Sequence, residues 1–423
     1  MIHACTIVAR NYLAQASALA DSWVEAVPEG DITILVIDLG DERVESDDPR
    51  IRVVAPAGAG FTQDEFDRMA TVYGVVELAT AVKPTLMRHL LDTTGEAVVY
   101  LDPDILVFRP LDEIERMARA EDIVLTPHTS VPLPDDGKHP YEAAFLACGV
   151  FNLGFVAVGP GGGPFLDWWA GRLARHCVDA PAQGLFVDQK WIDLVPAYFR
   201  HHVMRLPEVN VAYWNLPVRD FRRAPADLPG GGADWTVDGR PLVFFHFSGY
   251  DPARPDLLSK YQGADPRIRL DEHPHLKAIC DDYGARLLQR GHAELRRQPY
   301  GLDRLAGGLA LEPRMRRLYR RALMAAESAG ASLPPNPFTD GEAAFVGWLT
   351  APAGDPAELG ALSVYGASAW VDEPGVRNAF PAIPGPDAGR LLDWLEGGGA
   401  ESLGMPSWLC RSAPVASVVH SVS

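Results

Sequence analysis

The stretch Ala97–Phe108, Ala-Val-Val-Tyr-Leu-Asp-Pro-Asp-Ile-Leu-Val-Phe, constrains this chain more than any other. An apolar run rich in Val and Ile reads as a strand buried on both faces, as in a parallel sheet covered by helices. Asp102 and Asp104 interrupt it. Aspartate is almost never fully buried without a partner, so a strand ending in Asp-Pro-Asp delivers both carboxylates to a cavity at the sheet edge. Pro103 fixes its own φ and donates no hydrogen bond, which turns the backbone there. Two hard oxygen ligands on a rigid turn suit a divalent cation that also holds a diphosphate. The plainer alternative is a pair of solvated turn aspartates, and the rest of the chain has to decide between them.

Upstream, residues 3 to 9 form an apolar strand. An amphipathic helix fits residues 13 to 27, with Leu19, Trp23 and Val27 at a spacing of four. Residues 31 to 39 read as a second buried strand and 51 to 55 as a third. Strand, helix and strand in close succession open an α/β sheet with parallel pairing. Such sheets bind ligands at the carboxyl ends of their strands. Asn11, Tyr12 and Asp38 lie at those ends, which suits a nucleotide: an aromatic face for the base and polar groups for base and ribose.

Composition limits the partners. With 423 residues the chain has room for two or three domains, and 47% hydrophobic residues allow a large core. A formal net charge of −18 argues against a nucleic-acid partner and against a polybasic membrane surface. A phosphorylated ligand then needs a local cation or a metal. No run approaches the roughly 18 consecutive apolar residues of a membrane span. The start lacks the features of a signal peptide. Five scattered cysteines form no Cys-x-x-Cys pair, so neither a zinc site nor a disulfide framework is indicated. Cytoplasmic location with buried free thiols is the expectation.

Further along, helices are expected at 61–73 and 77–91. Lys83-Pro84 breaks the second, which places Lys83 at a helix start with its charge toward the following strand. A helix at 111–120 and a strand at 123–126 come next. The proline-rich segment 127–141 has no periodicity, and a loop of that length in a compact domain is read as a lid or acceptor loop. Residues 148–158 form another apolar run holding one amide, Asn152, which must be hydrogen-bonded if buried. Gly149 and Gly154 allow a chain or ligand to approach closely. Asp188 and Gln189 open a short helix after a helix at 165–177. Residues 209–215 are expected as an edge strand. A strand at 242–250 ends in His246, and Gly249 in the Ser-Gly that follows offers a backbone N–H suited to phosphate oxygens. Beyond about residue 270 the chain reads as helical with no catalytic cluster, and the last ten residues as loosely ordered.

Four separated pieces, Tyr-Leu-Asp-Pro-Asp-Ile-Leu-Val, Phe-Asn-Leu-Gly, Asp-Gln-Lys-Trp and Phe-His-Phe-Ser-Gly, resemble glycosyltransferase family 8 in their order and spacing. That group includes glycogenin and the bacterial lipooligosaccharide galactosyltransferases, and the resemblance covers roughly residues 1 to 265. It implies a GT-A fold, α/β with a Rossmann-like mixed sheet, as a nucleotide-sugar-binding catalytic domain over 1–270; the helical C-terminal region over 271–423 lies outside the resemblance. It also implies a nucleotide-sugar donor, usually UDP-linked, a hydroxyl acceptor on a glycan, peptide or small molecule, and retention of anomeric configuration. Asp102, Asp104 and His246 look like the metal ligands. Manganese is the expected ion, with magnesium possible, since imidazole beside carboxylates favours manganese. Asn152 resembles the amide that contacts the donor sugar, and Asp188 and Gln189 the catalytic pair beside the anomeric carbon. Lys83 is similar in position to a basic donor-contacting residue. Lys260 is placed to meet the diphosphate, although residues 250–255 replace the family's Lys-Pro segment.

Three other readings compete with this one. A haloacid-dehalogenase-type phosphatase also places Asp-x-Asp after a strand, but Leu106 departs from its motif and the strand lies deep in the chain. A non-catalytic sugar-nucleotide-binding or assembly protein would keep the fold without turnover. A nucleotidyltransferase would need a Gly-rich basic fingerprint near Ala9, which is missing.

Overall fold

A computed structural model describes residues 2–40, 42–224 and 234–413; the C-terminal ten residues expected to be loose lie outside that range. Two compact units divide the chain. The first comprises Met1–Phe66 and Val75–Gly301, the second Asp67–Gly74 and Leu302–Ser423.

A seven-stranded mixed sheet forms the centre of the first unit. Its strands are β1 (Ile2–Val8), β2 (Ile32–Val36), β3 (Ile51–Val54), β4 (Ala97–Leu101), β6 (Ile123–Pro127), β7 (Phe151–Val158) and β8 (His202–Val203). The order is β8-β6-β7-β4-β1-β2-β3. Strands β3, β2, β1 and β4 run parallel, whereas β7 is antiparallel to both β4 and β6. Every residue of β1, β2, β4 and β7 is buried, as the near-continuous apolar runs require. Helix α1 (Leu13–Ala26) covers the sheet through Leu19 and Trp23, which share a core with Val99, Leu101 and Phe155. This is the α/β GT-A arrangement that the resemblance implied, with the parallel strands ending on one edge.

A short strand β5 (Ile105–Val107) follows the Asp-Pro-Asp turn and pairs antiparallel with β9 (Phe244–His246), so that His246 lies opposite Ile105. The expected edge strand at 209–215 is not one. Val211 makes only an isolated bridge to Phe245. Asn210 adopts a left-handed φ of 53°, and the Asn215 carboxamide bonds the Ala212 N–H and the Asn210 carbonyl, closing a turn instead.

Helix α2 (Pro274–Gln289) lies in the first unit, beyond the boundary near residue 270 that composition suggests. Its Leu276, Ile279, Tyr283 and Leu287 share a core with Phe245 and Phe247. The second unit is helical, with its longest helix over Pro313–Ala329. The Arg316 guanidinium there bonds the Tyr73 carbonyl at 2.6 Å, which ties residues 67–74 to it. No helix among the described residues is long and apolar enough to cross a membrane.

His3 and His128 are buried, and burial is the largest cause that lowers each to about 4. Both are therefore neutral in the fold and protonate more readily when it opens. Their contribution is fully present above about pH 6.5 and is lost as pH falls toward about 4. We expect a loss of about 2 kcal/mol per histidine between pH 7 and pH 5, read from urea unfolding. His3→Gln should make that loss smaller; an unchanged pH slope would contradict it.

Candidate active site

The turn after β4 holds the two carboxylates as the sequence suggests. The Asp102 N–H donates to the Gly154 carbonyl at 2.8 Å, so β7 fixes the backbone at the turn. The Phe247 N–H donates to the Asp104 carbonyl at 2.8 Å, so the strand carrying His246 fixes the other side. His246 Nε2 then lies 3.0 Å from Asp104 Oδ1 and 3.7 Å from Asp102 Oδ2. One ligand atom from each residue falls within 4.8 Å of the others, and no other such group occurs among the described residues. The carboxylate side chains keep 30% and 24% of their surface, whereas the imidazole is buried.

Gly154 makes this convergence possible. A Cβ there would stand 2.3 Å from His246 Cε1 and 2.7 Å from Asp102 Oδ2, which no side chain tolerates. Burial is the largest influence on His246 and would lower it, but Asp104 and Asp102 together outweigh burial and raise it. The Asp102 carboxyl is raised, first by desolvation and then by Asp104, with Lys83 and His246 opposing. Two hard carboxylate oxygens and one borderline nitrogen are a donor set that fits manganese or magnesium, with manganese better matched to the imidazole.

Behind the carboxylates lies a buried charge pair. Lys83 starts the helix Lys83–Thr94 and is 1% exposed. Its Nζ donates to Asp188 Oδ2 at 2.6 Å and to the Leu153 carbonyl at 2.8 Å, and lies 4.0 Å from the Tyr100 ring centroid. Asp188 is therefore no helix cap, since its side chain serves Lys83 and not the following backbone N–H groups. Burial pushes its carboxyl up and Lys83 pulls it back. The Gln189 carboxamide accepts from Leu153 N at 3.1 Å and donates to the Cys148 carbonyl at 3.0 Å. Gln189 and Asp188 thus stand next to the first residues of β7, one locked to backbone and the other to an ammonium.

The remaining sequence-derived residues distribute as follows. Asn152 is buried, and its Oδ1 accepts from Asn210 Nδ2 at 3.1 Å. Asn210 also donates to Thr126 Oγ1, a link across β6 and β7 with no sequence signal beyond a lone Asn. Asp38 accepts from the N–H groups of Arg10 at 2.8 Å and Gly301 at 3.0 Å, so part of its capacity holds backbone. Asn11 Oδ1 is buried without a hydrogen-bond partner among the described residues. The Tyr12 phenol is raised by desolvation first and by Asp104 next, with Lys260 opposing, so both charges lie near enough to influence it. Gly249 has a φ of 74°, and its carbonyl accepts from the Lys260 N–H at 3.1 Å. A Cβ on Gly249 would lie 2.7 Å from Tyr261 Cδ2, so glycine lets the Lys260 segment fold back on this turn. Asn11, Tyr12, Gly249 and Lys260 therefore belong to the same edge as the acidic pair.

The 127–141 segment contains no strand or helix beyond the end of β6. Arg267, which sequence reading passed over, holds it. The guanidinium bonds Asp136 and the carbonyls of Pro134, Lys138 and Pro140, and its side chain is 5% exposed. One arginine thus satisfies four residues of the loop. His139 reaches the same region, forming a bridge with Pro266.

No family model matches the chain. YfnF, an uncharacterized protein of Bacillus subtilis (strain 168), is 26% identical over 252 residues, 58% of this chain and 80% of that protein. Among solved structures, the galactosyltransferase LgtC in complex with donor and acceptor sugar analogues shares 14% identity with a TM-score of 0.40, over 69% of this chain and 100% of its own. The apo-form glycosyltransferase GlyE of Streptococcus pneumoniae TIGR4 shares 12% with a TM-score of 0.36, over 69% of this chain and 64% of its own. At such identities and TM-scores the likeness carries no argument about chemistry, which must come from the site.

Two outcomes follow from this geometry. Gly154→Ala should weaken manganese binding at least about tenfold, because the new methyl displaces His246 or Asp102, while overpacking costs about 1–3 kcal/mol of stability. Isothermal titration with manganese and a urea melt read the two effects separately, and unchanged affinity would contradict the close approach. Arg267→Ala should release the 134–140 loop, seen as faster limited proteolysis at Lys138 with little change in the melt. Cleavage at the wild-type rate would show that the loop is held by other contacts.

Proposed function

We propose that this chain is a metal-dependent, retaining glycosyltransferase that moves a hexose from a nucleotide-sugar, most simply a UDP-sugar, to a hydroxyl acceptor. The observation that carries this reading is the convergence of Asp102, Asp104 and His246 at the carboxyl edge of the parallel strands in a mixed sheet. In it, those three residues hold manganese or magnesium. The ion would supply Lewis-acid stabilisation of the charge that builds on the leaving diphosphate. Tyr12 offers a ring face to the base, and the unpartnered Asn11 Oδ1 offers an acceptor for a base N–H. Asp38 would meet the ribose with the capacity its two backbone bonds leave. Lys260, exposed beside Gly249, adds a cation near the diphosphate.

The sugar is assigned to the wall formed by Asn152, Asp188 and Gln189. Cleavage makes the anomeric carbon oxocarbenium-like, and fixed dipoles or carboxylates nearby stabilise it. With Asp188 held by Lys83 at 2.6 Å and 2% exposed, its part is electrostatic and not that of a free nucleophile. That same sequestration is what favours the second reading, a protein that binds a sugar nucleotide without turning it over.

Incubation with a panel of UDP- and GDP-sugars, with manganese or EDTA, should release nucleoside diphosphate from one donor in the presence of manganese alone. Asp104→Ala should reduce the rate at least about 100-fold, the scale of losing one charge-stabilising group. UDP binding by calorimetry without release from any donor would favour the non-catalytic reading, and neither binding nor release would defeat both.

A further inference from the structure

Tyr100 is 2% exposed in the centre of the sheet, paired with Cys5 of β1 on one side and Val156 of β7 on the other. A phenylalanine would fill that place as well, so the hydroxyl needs its own account. A buried hydroxyl without a partner costs about 1–3 kcal/mol. Tyr100 and Asp102 are two residues apart, and side chains at that spacing leave a strand on the same face. The phenol uses this geometry to donate to Asp102 Oδ1 at 2.8 Å. That oxygen is thereby engaged from the protein side. The other, Oδ2, is the one 3.7 Å from His246 Nε2 and the one a Cβ at Gly154 would strike. The ring is in turn fixed by the Lys83 ammonium above it, 4.0 Å from the centroid, itself tied to Asp188 and the Leu153 carbonyl.

We propose that Tyr100 is a positioning residue for the cation site: its hydroxyl holds Asp102 so that Oδ2, and not Oδ1, faces Asp104 and His246. The inference rests on the metal-dependent reading above, and it adds a residue that touches neither donor nor cation. A carboxylate free to rotate would lose time in orientations that point neither oxygen at the cluster. Groups that orient a ligand from behind are typically worth 10–100-fold in metal affinity. The buried Lys83–Asp188 pair then connects the sugar wall to the metal ligands through one aromatic ring.

The test is direct manganese binding to the full chain, followed by the electron paramagnetic resonance of free ion in the presence of UDP, with no turnover required. Wild-type protein should bind, and Tyr100→Phe should bind about 10–100-fold more weakly, with its near-ultraviolet circular dichroism retained. Placing 4-aminophenylalanine at position 100 keeps the shape and the donor and should keep the affinity within about threefold. Equal affinity in Tyr100→Phe would overturn the proposal, and so would a tenfold loss in the 4-aminophenylalanine protein. A merely structural hydroxyl would lower the melting temperature and leave the manganese affinity alone. Failure of the wild type itself to bind manganese would defeat the metal-dependent reading, an outcome distinct from failure of Tyr100 alone.

Discussion

Two carboxylates at the end of a strand buried on both faces repel each other, and much of the first unit is arranged around that repulsion. Burial raises the Asp102 carboxyl and Asp104 raises it further, so Asp102 depends on positive charge nearby. His246 supplies one answer from a strand about 140 positions later in the chain, at 3.0 Å from Asp104. Lys83 supplies another from beneath, though its own bonds go to Asp188 and Leu153. A buried ammonium costs several kcal/mol unless paired and hydrogen-bonded, so Lys83 and Asp188 require each other. The result is a site with excess negative charge on its open side and balanced charge behind it. Such a surface is suited to a cation.

The mixed pairing of the sheet is what brings these groups together. A purely parallel sheet would bring only strand ends to this edge. Because β7 runs antiparallel to β4, its early residues reach the same edge, and Asn152, Leu153 and Gly154 come level with Asp102. Glycine at 154 then lets the His246 ring and the carboxylate share space that any side chain would occupy. The β5–β9 pair adds His246 by backbone register, so its placement does not depend on a flexible side chain finding its partner. The backbone positions of Asp102, Asp104 and His246 are thus set by main-chain hydrogen bonds.

This also explains what the sequence disclosed and what it withheld. The buried strands were legible because apolar runs of Val and Ile have few other stable uses, and the Asp-Pro-Asp break marked the edge at which they end. The helix start at Lys83 was legible from Lys-Pro. The partnership of Lys83 with Asp188 was not, because 105 positions separate them and any single lysine looks like a solvated one. Residues 209–215 looked like a strand by composition, yet Asn210 at φ 53° and the Asn215 side chain make a turn there. Local side-chain hydrogen bonding defeated the apolar pattern. Arg267 gave no signal, since its partners are mostly carbonyls of a segment 127 to 133 positions away.

The strands around the acidic turn and the 127–141 segment are built with different materials. The Asp-Pro-Asp turn, Asn152 and His246 rest on β4, β5, β7 and β9, whose geometry is held by ladders of backbone bonds. The 127–141 segment has no such ladder, and the Arg267 guanidinium, the Lys138–Asp265 ion pair and the His139–Pro266 bridge hold it. A loop held by a few such contacts tolerates change at its other residues. Residues such as Val131 and Tyr141, which the segment leaves exposed, can then differ without disturbing the strands that carry Asp102, Asp104 and His246.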